Sequence, residues 1–181
     1  LDARSDLLMA GFNKNLWASW RMEYIRSLGE EQVQVGCFLC HYWSSPGQDQ
    51  EHHVVWRGES AFVCMNRFPY TNGHLLVATA EHKGDLTDLT TEQLSEMTTM
   101  IRSAVALLRD VVHAQGFNIG YNLGACAGAG LPDHLHAHIV PRWGGDTNHM
   151  AVLGDIRVVP EALDPLWNEL AGAAKSAGLR T

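Results

Sequence analysis

The run HLHAHIV at residues 134–140 places three histidines at alternate positions in an otherwise apolar stretch. Successive side chains of a β-strand point to opposite faces, so His134, His136 and His138 would share one face. The other face would carry Leu135 and Ala137, which suit a packed core. The run therefore predicts a half-buried strand whose polar face carries three imidazoles in a line.

Two kinds of chemistry use such a line of imidazoles. The three rings can converge on one metal ion, with further ligands from another strand. Alternatively, one neutral imidazole attacks phosphorus while its other ring nitrogen donates a hydrogen bond that fixes the tautomer. The preceding stretch GYNLGACAGAGLP, at residues 120–132, is rich in small residues that let backbone N–H groups approach a phosphate. It favours the second chemistry.

Strand-like stretches occur in the first half of the chain and again before the histidines. In addition to the histidine run, the residues with strand composition are 53–58, 60–66, 74–79 and 117–122. Strands gathered in hairpins, with one long helix between them, predict an α+β fold with a largely antiparallel sheet. We expect a single domain at residues 37–181, preceded by a helical extension at residues 1–36.

The long helix is marked by Thr90 and Gln93, which fit a capping box, and by Gly116 as a stop signal. Its apolar stripe comprises Leu94, Met97, Ile101, Val105, Leu108 and Val112. A C-terminal helix is predicted within residues 160–178.

The 181 residues carry a formal net charge of -7. Proteins that hold nucleic acid through a broad basic face have excess Lys and Arg, so this charge argues against extended nucleic-acid binding. A small anionic ligand at one local site remains compatible with it. The sequence has no apolar run of about 18 residues or more, and it predicts a cytoplasmic protein without a membrane span.

The segment GCFLC at residues 36–40 has the spacing of half a zinc site, formed by Cys37 and Cys40. Such a pair can also be redox-active or purely structural, and the residues alone leave these alternatives open. Cys64 and Cys126 stand singly, so the cysteines do not form the pattern of a disulfide framework.

HLHAHIV resembles the signature of the histidine triad superfamily of nucleotide hydrolases and transferases. NRFPYTNGHLLV, HKGDLTDLTTEQL and HIVPRWGGD resemble further segments of that superfamily, and together the matches cover residues 37–148. Within it, the stretches LWASWRMEYI, GFNIGYNLGACAGAG and PRWGGDTNHM are most similar to the bacterial diadenosine tetraphosphate phosphorylase branch.

The resemblance implies a nucleotide site built around the triad. His136, the middle imidazole, would attack the α-phosphorus of a nucleoside polyphosphate and form a nucleotidyl-histidine intermediate. His138 would lie at the departing phosphate, where a donor neutralises charge on the leaving oxygen. The positions that match nucleotide- or phosphate-binding residues are Asn66, His74, Asn122, Gly128 and Gly130.

The resemblance also implies a structural zinc, which some members hold through a cysteine pair, a histidine after the Gly-His strand and the first triad histidine. The matching residues are Cys37, Cys40, His82 and His134. If the match of His82 is wrong, His52 or His53 is the alternative ligand. Members of the superfamily are commonly dimeric, so a homodimer is expected.

Several reactions fit these residues. Many hydrolases of the superfamily carry Gln or Ser shortly before the triad, where this chain has Gly130 and Leu131, so there is room for inorganic phosphate in place of water. Phosphorolysis of a dinucleoside polyphosphate is therefore expected, with hydrolysis of dinucleoside polyphosphates or nucleoside phosphoramidates as the alternative. Other classes also fit: a nucleotide-binding regulator without turnover, and a metal protein that uses all three triad imidazoles on one ion.

Overall fold

A computed structural model describes residues 36–146, residue 159 and residues 161–179. Its strands are β1 Val54–Arg57, β2 Ala61–Met65, β3 Leu75–Thr79, β4 Gly116–Tyr121 and β5 His136–Arg142. They form an antiparallel sheet in the order β1-β2-β3-β5-β4. The triad strand β5 therefore lies between β3 and β4, inside the sheet.

The described helices are α1 Phe38–Ser44, α2 Thr91–Val111 and α3 Leu163–Ser176. Short 3-10 turns occur at Pro46–Gln48, Leu86–Asp88 and Ala125–Ala127. None of the helices in the described ranges is long and apolar enough to cross a membrane. This arrangement of helices on an antiparallel sheet confirms the predicted α+β fold.

The two faces of the sheet differ as the period-two pattern predicts. On one face, Ala137 and Ile139 of β5 belong to a buried cluster that includes Met97 of α2 and Leu170 of α3. On the other face, a smaller cluster packs the sheet against Leu39 of α1. The histidines of β5 share this second face, beside the smaller cluster, because they alternate with the core residues.

The prediction for α2 was right at its start and wrong at its end. The capping box is present, since Gln93 N–H donates to Thr90 and the Thr90 N–H donates to Gln93 Oε1. The helix ends at Val111 because His113 adopts a left-handed conformation, with φ 51°. The Trp143 indole N–H lies 3.1 Å from the His113 carbonyl oxygen and donates to it beyond the helix end.

The buried face of α2 is also displaced to one side of the predicted stripe. Met100, Ala104 and Leu107 are buried, although the stripe omitted them. These three residues all lie on one side of the stripe, and this is the side that packs against the sheet and α3, whereas Ile101 and Val105 of the stripe are only partly buried.

The predicted extension at residues 1–36 lies outside the described residues except for Gly36, so the extension and the boundary of the 37–181 domain stay predictions. A single chain does not test the predicted homodimer, which also stays a prediction.

Candidate active site and metal centre

His136 is the first residue of β5, and only 8% of its surface is exposed. Its Nδ1 is 2.8 Å from the backbone carbonyl oxygen of His134. A carbonyl can only accept a hydrogen bond, so Nδ1 carries the proton and Nε2 of the neutral ring carries the lone pair. Burial lowers the pKa of His136 below its usual 6.5, which keeps the ring neutral at neutral pH. The fold thus holds one neutral imidazole with an unprotonated Nε2, which is the form that a nucleophilic histidine requires.

A second line of hydrogen bonds sets the tautomer of His138. The backbone N–H of Tyr70 donates to His74 Nδ1 at 3.1 Å, which leaves the His74 proton on Nε2. That Nε2 lies 3.1 Å from His138 Nδ1 and donates to it. The proton of neutral His138 is therefore on Nε2, pointing away from His74.

Asn122 approaches the same nitrogen from the end of β4. Its side-chain Nδ2 lies 3.4 Å from His138 Nε2. Both groups carry N–H donors in the tautomer derived above, so they do not bond to one another but face one space with two donors. An oxyanion can accept from both, and such an arrangement suits a phosphate oxygen.

Asn66 is joined to the same chain of contacts from the loop before β3. Its Nδ2 is 3.3 Å from His74 Nδ1, and its Oδ1 accepts the Phe68 N–H at 3.0 Å. The structure therefore brings Asn66, His74, Asn122 and the triad face together. For Asn66 it also shows the role of a loop residue that satisfies backbone groups.

The glycines of the predicted phosphate loop lie between β4 and β5, and both Gly128 and Gly130 are exposed. Gly128 has φ 88°, in the left-handed region that favours glycine. Contact of these two glycines with phosphate stays a prediction.

The predicted metal ligands converge on one point. One donor atom from each of Cys37, Cys40, His82 and His134 lies within 4.8 Å of the others. The Sγ atom of Cys37 is 3.0 Å from His134 Nδ1, and that of Cys40 is 3.3 Å from His82 Nδ1. A tetrahedral zinc ion places its ligand atoms roughly 3.5 Å apart, so this two-sulfur, two-nitrogen set fits zinc.

The chemistry of the donors agrees with this geometry. Burial raises the pKa of Cys37 to about 11, so a cation beside the sulfur is needed to hold it as a thiolate near neutral pH. His134 Nε2 lies 2.8 Å from the Thr79 carbonyl oxygen and donates to it, which directs the Nδ1 lone pair toward the two sulfurs. Burial lowers the pKa of His134, which keeps the ring in its ligating neutral form.

Sequence reasoning missed two partners of these histidines. Thr79 orients the His134 ring through its backbone carbonyl, which any residue would supply, so no side-chain pattern could reveal it. Tyr70 stacks on His138 with ring centroids 5.9 Å apart. The sequence signal for this contact was an aromatic residue four positions before His74, in the loop entering β3.

Comparison with known proteins identifies the family of this chain. A model of the HIT domain matches residues 48–145, more than half of the chain. The chain belongs to the HIT domain family. Among curated relatives of this HIT protein, the AP-4-A phosphorylase of Mycobacterium tuberculosis (strain CDC 1551 / Oshkosh) is 34% identical over 159 residues, covering 83% of this chain and 78% of the relative. The predicted family is thereby confirmed, together with the prediction that this chain is a HIT-family enzyme.

Two further matches of this HIT protein bear on its site. The asymmetrical bis(5'-nucleosyl)-tetraphosphatase of Schizosaccharomyces pombe is 34% identical over 89 residues, 49% of this chain and 48% of the relative. The crystal structure of a Zn-bound histidine triad family protein from Mycobacterium smegmatis has a TM-score of 0.64 and 27% identity, covering 79% of this chain and 96% of that one.

The buried, neutral state of His136 predicts a pH dependence of stability. Its folded-state pKa lies below the 6.5 of an ordinary histidine, so between these values the unfolded chain binds more protons. Stability should therefore rise with pH up to about 6.5 and lose that dependence above it. Urea unfolding at about pH 7.5 and about pH 5 should show a larger loss in acid for wild type than for His136→Asn.

The matched control is His113→Asn, because His113 is exposed and Asn tolerates its left-handed conformation. This variant should keep the wild-type difference between the two pH values. An acid loss as large in His136→Asn as in wild type would contradict the assignment of a buried neutral ring.

Proposed function

We propose that this protein cleaves dinucleoside polyphosphates at the α-phosphate through a covalent nucleotidyl-histidine intermediate on His136. The observation that carries the proposal is the tautomer of His136, whose Nδ1–H donates to the His134 carbonyl oxygen at 2.8 Å. That bond leaves the Nε2 lone pair for attack and stabilises the ring as positive charge develops on it.

In the first step the Nε2 lone pair of His136 forms a bond to the α-phosphorus. The bond from this phosphorus to its bridging oxygen breaks, and the leaving nucleotide takes that electron pair. His138 Nε2–H and the Asn122 amide, 3.4 Å apart, are the donors available to the leaving oxygen and the phosphate oxygens.

In the second step an acceptor oxygen attacks the same phosphorus, and the N–P electron pair returns to His136. We propose inorganic phosphate as this acceptor. The support is the small-residue loop before the triad, including Gly130, together with the 34% identity to a relative named AP-4-A phosphorylase. The products are then a nucleoside triphosphate from the first step and a nucleoside diphosphate from the second.

Labelled inorganic phosphate tests the acceptor. With diadenosine tetraphosphate as substrate, wild type should place the label in adenosine diphosphate, and turnover should require phosphate. His136→Asn should lower turnover by at least about a thousandfold, since it removes the nucleophile, while the exposed-histidine variant His113→Asn should retain it.

Unlabelled adenosine monophosphate formed at the same rate without phosphate would contradict phosphorolysis and favour hydrolysis. The similarity to a tetraphosphatase makes hydrolysis the second candidate. Nucleotide binding without any turnover would instead favour a regulator.

We propose zinc as the ion held by Cys37, Cys40, His82 and His134. All four ligand positions are filled by protein atoms, so the ion has no open position for water and acts structurally. It joins α1, which follows Cys37, to the segment entering β5, and so helps to hold the His134 carbonyl that orients His136.

Metal analysis tests this centre. Wild type and the control variant Cys126→Ser should each contain about one zinc per chain, because Cys126 lies outside the four-ligand cluster. Cys40→Ser should lose the zinc and unfold at a lower temperature. A wild-type protein without stoichiometric metal, or a Cys40→Ser variant that keeps it, would contradict the assignment.

A further inference from the structure

The loop before β3 places an aromatic ring against the leaving-group histidine. The Tyr70 ring is stacked on His138, with centroids 5.9 Å apart and planes inclined by 19°. The same ring lies 4.7 Å from the His74 ring. Tyr70 is 38% exposed and Phe68, two residues earlier in the loop, is 53% exposed. An aromatic surface open to solvent therefore borders the side of the site where His138 lies.

The neighbouring strand leaves space beside the same histidine. Gly120 of β4 is the direct cross-strand partner of His138, so a side chain there would stand on the same face of the sheet. A Cβ atom at Gly120 would meet no other atom within 4 Å. His138 thus lies between a partly exposed aromatic ring and a strand position that has no side chain.

We propose that Tyr70 stacks on the base of the leaving nucleotide and so selects substrates that carry a second nucleoside. This inference rests on the proposed function, in which His138 is on the leaving-group side of His136. Aromatic side chains stack on any base, because every base has a π-face, so Tyr70 would favour a second nucleoside without choosing its base. Tyr70 is then a specificity-determining residue.

Two substrates isolate this contact. Diadenosine tetraphosphate and adenosine 5'-tetraphosphate present the same α-phosphorus and the same number of phosphates, and only the first has a second nucleoside. Wild type should have the higher kcat/KM for the dinucleotide. Tyr70→Leu should lower kcat/KM for the dinucleotide by about ten- to hundredfold more than it lowers kcat/KM for adenosine tetraphosphate, mainly through KM.

Tyr70→Phe is the matched control, because it keeps the ring and removes only the hydroxyl. It should retain the wild-type ratio between the two substrates. Every variant keeps the Tyr70 backbone N–H that sets the His74 tautomer, and zinc content and thermal unfolding verify that each is folded.

An equal loss on both substrates would overturn the inference, since it would mean that the ring only positions His138. Unchanged kcat/KM for both substrates in Tyr70→Leu would overturn it as well. If wild type cleaves neither substrate, the proposed function fails and the inference fails with it. If wild type cleaves both and Tyr70→Leu keeps the ratio, the inference alone fails.

Discussion

His134 connects the cluster of Cys37, Cys40 and His82 to His136 through three contacts in different directions. Its Nε2–H donates to the carbonyl of Thr79 in β3, its Nδ1 faces the cysteine sulfurs, and its backbone carbonyl accepts a hydrogen bond from His136 Nδ1–H. Buried polar groups are costly when unsatisfied, and here each of the three atoms has a partner. Displacing His134 would therefore disturb the donor set for zinc and the tautomer of His136 together. The other contacts of the site surround this arrangement.

The two histidines that follow have different protonation because their partners differ. His136 donates a hydrogen bond from Nδ1–H to a carbonyl, whereas His138 accepts a hydrogen bond at Nδ1 from His74. Equal spacing along one strand thus produces one ring with a free lone pair at Nε2 and one ring with a proton there. This pair of opposite tautomers is what a displacement at phosphorus needs: a nucleophile for the phosphorus and a donor for the leaving oxygen.

Much of the fold and of the site could be predicted from the sequence, because these features depend on local sequence patterns. Period two placed the imidazoles opposite the core residues, and the capping box located the start of α2. What could not be predicted depends on contacts distant in sequence. Just beyond the end of α2, the His113 carbonyl accepts a hydrogen bond from Trp143, thirty residues later, and the orientation of His134 depends on the carbonyl of Thr79 in the neighbouring strand. The cysteine spacing alone left a redox pair possible, and the convergence of His82 and His134 on the sulfurs favours metal.

The central claim is that His136 Nε2 forms the bond to phosphorus. The most direct test mixes wild type with excess diadenosine tetraphosphate, quenches the reaction rapidly and analyses the digested protein by mass spectrometry. The quench is an alkaline denaturant, because N-linked phosphohistidines are acid-labile. We expect one adenosine monophosphate group on His136, formed without added phosphate and discharged when phosphate is supplied. Turnover without any adduct, or an adduct on another residue, would contradict the account.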